Sequence, residues 1–194
     1  MDGAPEQQGG GHGLGARVAT AILESAAAVV ARRGDGASMA DVAAAAGVAR
    51  ATVYRHFPSR RALLDELQRR AAADVGARLR AARILEVPAH EAVARAVRAL
   101  VEAGDNTMLL VAARLGDEPE GFERDVMAIL GAAFERAQDE GRIRADVPAS
   151  WLAESVLGLV GSAFRASPGM GREDMVGTVT SLVLDGAGAA GGGP

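Results

Sequence analysis

The sequence predicts an all-α protein, and three observations carry that prediction. Apolar residues recur at spacings of three and four along most of the chain, the period of a helix with one buried face. Aromatics make up only 3% of the residues, and the alternating β-branched and aromatic runs that a sheet needs are nearly absent. Gly and Pro fall between the periodic segments, where they stop one helix and open the next. With 49% hydrophobic residues in a chain of 194, a sizeable core can be buried.

Residues 1–15, rich in Gly, Gln and Pro with His12 among glycines, read as a disordered arm. From Ala16 the period turns helical: Val18, Ile22, Ala26 and Val29 form a stripe that ends near Arg33, with Gly34 and Gly36 as stop signals. Ser38 with Asp41 is spaced as a capping box, Asp standing for the usual Glu, and opens a short helix to about Ala46. Gly47 turns the chain, and a second short helix runs from about Ala49 to His56. Val42 and Ala45 of the first, and Val53 and Phe57 of the second, are expected to pack inward. Pro58 breaks this helix, and Ser59 caps a long one with Leu64, Leu67, Ala71, Val75 and Leu79 on one face.

Pro88 opens a helix carrying Val93, Val97, Leu100 and Val101, closed by Gly104. A shorter helix is expected from Asp105 to Leu115, ended by Gly116. After Pro119 comes the clearest pattern: Phe122, Val126, Ile129, Leu130, Ala133, Phe134 and Ala137. Gly141 to Pro148 is a polar connector, and Trp151 to Phe164 and Met175 to Leu184 are apolar helices separated by Ser167, Pro168 and Gly169. The expected organisation is an arm at 1–15, a helix-turn-helix domain at 16–60, a helical body at 61–185 and a disordered tail at 186–194. About nine helices result, three of them in the head.

Composition removes several classes of function. There is no cysteine, so no disulfide frame and no thiolate metal site is possible. No unbroken apolar run approaches the roughly 18 residues of a membrane span, and no signal-peptide layout is present; a soluble cytoplasmic protein is expected. P-loop, serine-elbow and zinc-protease patterns are missing, and His12, His56 and His90 sit in unrelated contexts. Gly186 to Gly191 formally match the dinucleotide glycine pattern, but Gly192 to Pro194 leave no room for the helix that would hold a pyrophosphate. The acids Asp117, Glu118, Glu120 and Glu123 around Pro119 read as charges near a helix N-terminus. Neither catalysis nor a cofactor or metal is expected.

Charge points to a different activity. The chain carries a net −4, yet residues 1–70 hold nine Arg against seven acids and residues 71–194 twelve against eighteen. Between Asp41 and Asp65 there is no acid at all, while Arg50, Arg55, Arg60 and Arg61 lie in that window. A basic stripe backed by an acidic body suits a nucleic-acid footprint. The same window contains the two short helices joined at Gly47, whose second member can lie in a DNA major groove. Its outward side presents Arg50, Thr52, Tyr54, Arg55 and His56, donors long enough to reach phosphates and base edges, and the small Ala49 and Ala51 let the backbone approach.

Residues 17–67 resemble the DNA-binding domain of the tetracycline-repressor (TetR) family. The matching pieces are Ile22-Leu23, Ser38-Met39-Ala40-Asp41-Val42-Ala43, Ala46-Gly47-Val48, Thr52-Val53-Tyr54-Arg55-His56-Phe57 and Ser59-Arg60-Arg61-Ala62-Leu63-Leu64. The resemblance implies a homodimeric transcriptional regulator on a palindromic double-stranded operator, usually a repressor released by a small molecule bound in the body. It implies phosphate contacts from Ser38, Tyr54, His56 and Arg60, with Arg50, Ala51 and Thr52 facing bases or adjoining phosphates. Two positions depart from the pattern: Ala49 replaces a hydroxyl that often caps the recognition helix, and Arg60 replaces a frequent Lys.

The family resemblance also places a ligand pocket among the middle helices, with Val97, Leu100, Met108, Met127, Leu130 and Phe134 as lining and Trp151 at one end. That lining suits an apolar, uncharged or weakly acidic ligand. The two C-terminal apolar helices are expected to form a four-helix dimer bundle through Leu152, Val156, Leu159, Ser162, Ala163, Val179, Leu182 and Val183.

Overall fold

In the computed structural model, which describes residues 10–113, 121–167 and 169–187, nine α-helices follow one another and no strand forms among the described residues. They are α1 (Gly10–Arg33), α2 (Met39–Ala46), α3 (Arg50–His56), α4 (Arg60–Ala81), α5 (Ala89–Ala103), α6 (Asp105–Ala113), α7 (Gly121–Asp139), α8 (Ala149–Ala166) and α9 (Arg172–Ala187). The chain divides after Leu67 into two compact units.

The first unit is built on α1, α2, α3 and the start of α4. Ile22, Leu23, Ala26 and Val29 of α1 are buried with Met39, Val42 and Ala43 of α2, Val53 of α3, Phe57, and Leu63 and Leu67 of α4. Each large member contributes about 1.5–3 kcal/mol by leaving water. The inward residue beside Val42 is Ala43, while the expected Ala45 is exposed. Positions 39, 42 and 43 share one face, and four consecutive alanines offer no polar cue to that register. On α4, Leu63 heads the buried stripe and Leu64 is only partly buried.

Helix α1 also starts earlier than expected, at Gly10 within the glycine-rich arm, because extending a formed helix adds a hydrogen bond per residue without a new nucleus. From Leu14 to Arg33 it is long and apolar enough to cross a membrane by length and composition, contrary to the expectation from unbroken runs. Alanines raise its hydropathy between the charges. Ile22, Leu23 and Val29 are buried in the core of this unit, Val18 and Val30 are partly buried, and Leu14 is exposed.

In the second unit α5 is central, touching α6, α7, α8 and α9. Its Val93, Val97, Leu100 and Val101 are buried, as are Val126, Leu130, Ala133, Phe134 and Ala137 of α7. Phe122 and Glu123 fall on α7; Arg114, Leu115, Asp117, Glu118 and Glu120 lie outside the described residues. At Gly161 of α8 a Cβ would stand 2.9 and 3.0 Å from the methyl groups of Val111, so α6 and α8 meet where only glycine fits. Thr107, fully buried, donates to the Leu100 carbonyl at 2.7 Å across the Gly104 turn.

The α4–α5 connector is held from outside. Arg95 donates to the Ala82 carbonyl at 3.0 Å, and Arg136 donates to Ile84 at 3.0 Å and to Val87 at 2.6 Å. Arg98 of α5 pairs through two nitrogens with Glu173 of α9.

Candidate nucleic-acid interface

The geometry of the α2–α3 corner follows from local chemistry. Ser38 has extended backbone angles, its hydroxyl accepts from the Asp41 N–H at 3.2 Å and donates to the Asp41 carboxylate at 2.6 Å. The same carboxylate accepts from the Ser38 N–H at 3.0 Å, which completes the capping box. These bonds from Ser38, with Arg33 alongside, hold the Asp41 carboxyl below its ordinary pKa.

Helix α2 ends at Gly47, whose φ of 65° and ψ of 29° lie in the left-handed region. The Val48 N–H reaches back to Ala43 and the Gly47 N–H to Ala44, the two bonds of a Schellman ending. The chain then enters α3 through Ala49, which makes no side-chain cap, so the departure noted at this position is real. Ser59 accepts from the Ala62 N–H at 3.0 Å and so starts α4.

On α3 the buried residue is Val53, and Phe57 follows the helix into the core. Arg50, Ala51, Tyr54 and Arg55 are exposed, and Thr52 is half-buried. Arg50 and Tyr54, one turn apart, are in contact: the guanidinium carbon lies 5.4 Å from the ring centroid, and an Nη2–H donates to the Tyr54 hydroxyl at 3.2 Å. That bond raises the Arg50 pKa above its ordinary value, so the group keeps its charge. Sequence reasoning assigned the two residues separate roles; their i, i+4 spacing was the signal that joins them.

Two expected phosphate contacts are already engaged inside the unit, and a third is half-buried. The Ser38 hydroxyl belongs to the capping box. Arg60 donates its Nε–H to the Ala37 carbonyl at 2.9 Å, pinning the residue that precedes Ser38. His56 is half-buried, its ring centroid 6.4 Å from that of Phe57, and its Nε2 is buried without a hydrogen-bond partner.

Residues 22–67 match the family model of bacterial regulatory proteins of the tetR family, and this stretch contains the capped corner and all of α3. Over this stretch the chain carries a DNA-binding domain of the TetR type. Beyond that stretch, the described fold is similar to that of TetR-like transcriptional regulators. The TetR-like regulator LfrR from Mycobacterium smegmatis, solved in complex with proflavine, is 25% identical, with a TM-score of 0.69 over 88% of this chain and 96% of that one. The ketosteroid transcriptional regulator KstR2 of Mycobacterium tuberculosis has the same fold at 23% identity, with a TM-score of 0.68 over 88% of this chain and 94% of that one. So does AibR, solved with isovaleryl coenzyme A and operator DNA, at 18% identity, with a TM-score of 0.68 over 86% of this chain and 98% of that one. No curated protein sequence matches.

In the second unit, the expected pocket residues are dispersed in their exposure. Val97, Leu100, Leu130 and Phe134 are buried, Met108 and Met127 half-buried, and Trp151 is 57% exposed. An open groove of about 410 Å³ lies instead against Arg78, Ala81, Ala82, Arg95, Arg98, Ala99 and Glu102. Candidate polar groups are spent on internal contacts: Arg78 and Asn106 both donate to the Asp74 carboxylate at 2.9 Å, and Thr107 is bonded to Leu100.

Of the residues expected at a dimer interface, Leu152, Val156, Val179 and Val183 are buried within their own chain, so they are core. The apolar faces of α8 and α9 are used internally, and the outward ones are mixed, with Glu154, Ser162 and Arg165 on α8 and Glu173, Ser181 and Asp185 on α9. Leu182 is 58% exposed, Ser162 is exposed, and Leu159 and Ala163 are half-buried.

Proposed function

We propose that the protein is a ligand-released repressor that acts as a homodimer on a palindromic operator. The observation that carries the DNA part is the outward face of α3: Arg50, Ala51, Tyr54 and Arg55 stand exposed on a capped helix-turn-helix with no acid between residues 42 and 64. In this reading Arg50, Ala51 and Thr52 face base edges, and Ser38, Tyr54, Arg55, His56 and Arg60 lie along the phosphates. Two copies present their α3 helices about 34–36 Å apart, one turn of DNA.

The ligand part rests on the relatives, LfrR with proflavine and AibR with isovaleryl coenzyme A. A small, largely apolar molecule among α5, α6 and α7 favours one of two dimer spacings and so lowers operator affinity. Helix α4 contributes residues to both units and is the element on which such a shift acts. Dimer contacts come from the outward residues of α8 and α9, Leu159, Ser162, Ala163 and Leu182.

Selection of genomic fragments by the full chain, followed by gel shifts over a salt series, tests the reading. A selected palindrome whose affinity falls steeply with salt is expected; fragments bound without sequence preference refute it. Release is tested by adding neutral, anionic and cationic lipophilic compounds, including an acridine dye and an acyl-coenzyme A. If only cationic dyes release the operator, the apolar pocket is refuted and the DNA assignment stands.

A further inference from the structure

The contact between Arg50 and Tyr54 carries an inference about which base this protein reads. It rests on the DNA reading above, and it concerns how selectivity is produced. Arg50 is the first residue of α3, the end of a recognition helix that approaches base edges. A free arginine there would sample many rotamers and lose that freedom on binding. Here the guanidinium lies over the Tyr54 ring at 5.4 Å and is tethered by an Nη2–H to the hydroxyl at 3.2 Å. The ring contact and the hydrogen bond together restrict the rotamers open to the group.

The donor count decides what the tethered group can still do. A guanidinium has five N–H donors, and one goes to Tyr54. Whichever Nη2 hydrogen is used, one edge with two parallel donors remains complete. Two parallel donors match the O6 and N7 acceptors of guanine in the major groove, and no other base offers two acceptors there. The Tyr54 oxygen, while accepting from Arg50, still carries its own hydrogen and can donate it to a phosphate. One hydroxyl then fixes the arginine and anchors it to the backbone of the DNA.

We infer that Arg50 reads a guanine once in each operator half-site and that Tyr54 is the residue that positions it. Removing the Tyr54 hydroxyl should therefore cost selectivity at that base pair, and not affinity alone. A tyrosine serving only as a phosphate ligand would weaken all sequences by one factor when changed to phenylalanine.

The experiment measures binding of the full chain to the selected operator and to every single-base variant of one half-site. It compares wild type, Arg50→Ala, Tyr54→Phe and the double variant. Arg50→Ala should erase the preference at one guanine, a loss of about 5- to 150-fold in discrimination. Tyr54→Phe keeps the ring and should lower discrimination at that same guanine by about 3- to 10-fold, a neutral hydrogen bond's worth. The double variant should discriminate no worse there than Arg50→Ala. Replacing that guanine by 7-deazaguanine should weaken wild type and leave Arg50→Ala unaffected. Both side chains are exposed, so unchanged melting curves are expected of all variants.

A Tyr54→Phe profile parallel to wild type at every position overturns the positioning role. An Arg50→Ala loss at a base other than guanine overturns the readout. Either leaves the DNA reading intact. A wild-type chain that selects no sequence removes that reading and this inference together.

Discussion

Replacing Gly47 by alanine isolates one physical cost. The residue has φ of 65° and ψ of 29°, a conformation that costs an L-residue about 1–2 kcal/mol. An added Cβ would meet no atom within 4 Å, so no steric term is added. Gly47→Ala should therefore destabilise the unit ending at Leu67 by about 1–2 kcal/mol, or about 4–16 °C in the melting temperature of a domain this small. Asparagine, which tolerates left-handed angles, should cost less, and the β-branched valine more. Thermal and urea unfolding followed by circular dichroism on the Gly, Asn, Ala and Val variants gives the order directly. If alanine is as stable as glycine, or asparagine no better than alanine, backbone strain is not why glycine stands at this turn.

Three further outcomes are expected. Gly161→Ala should cost about 1–3 kcal/mol by overpacking against Val111, and Val111→Ala added to it should recover most of that in urea midpoints; strictly additive effects would deny the contact. The folded-state pKa of Asp41 lies below the ordinary 3.8, so its contribution is full above that value and lost as pH falls through the folded one. The melting temperature of the first unit should thus drop below about pH 4, less steeply in Asp41→Asn, and equal slopes would contradict the bonds described. Leu182→Arg should yield folded monomers by light scattering, whereas Val179→Arg should unfold the body, because only the first side chain is outward; a dimer unchanged by Leu182→Arg would move the interface elsewhere.

How much of this was legible in the sequence depended on whether the determining interaction was local. The Ser38–Asp41 box, the Gly47 turn and the Ser59 cap each involve residues within a few positions of one another, and each stands where the sequence predicts it. Ala43 could not be told from Ala45, because alanines carry no preference between inside and outside. Leu152, Val156, Val179 and Val183 were expected at an interface because hydropathy marks a face as buried without saying against what. The Arg78–Asp74 pair is local and follows from its i, i+4 spacing, whereas the exposure of Trp151 and the bond from Asn106 to Asp74 depend on how separate helices pack, which spacing does not encode. In the candidate interface the residue types were readable, but their prior engagements were not. Arg60 is turned to Ala37 by the tertiary fold, and the Nε2 of His56 is buried by it.

The guanidinium braces on the α4–α5 connector have a consequence in time. The carbonyls of Ile84 and Val87 are satisfied by Arg136, which lies 52 and 49 positions further along the chain. While the protein is being synthesised, those two oxygens have water as their partner until α7 has left the ribosome. Helices α4 and α5 can each form early from their own hydrogen bonds, and Arg95 can reach Ala82 as soon as α5 exists, but the second brace waits for Arg136. The connector's last two carbonyl partners are therefore completed only after α7 is made, by a residue that no inspection of the connector itself would single out.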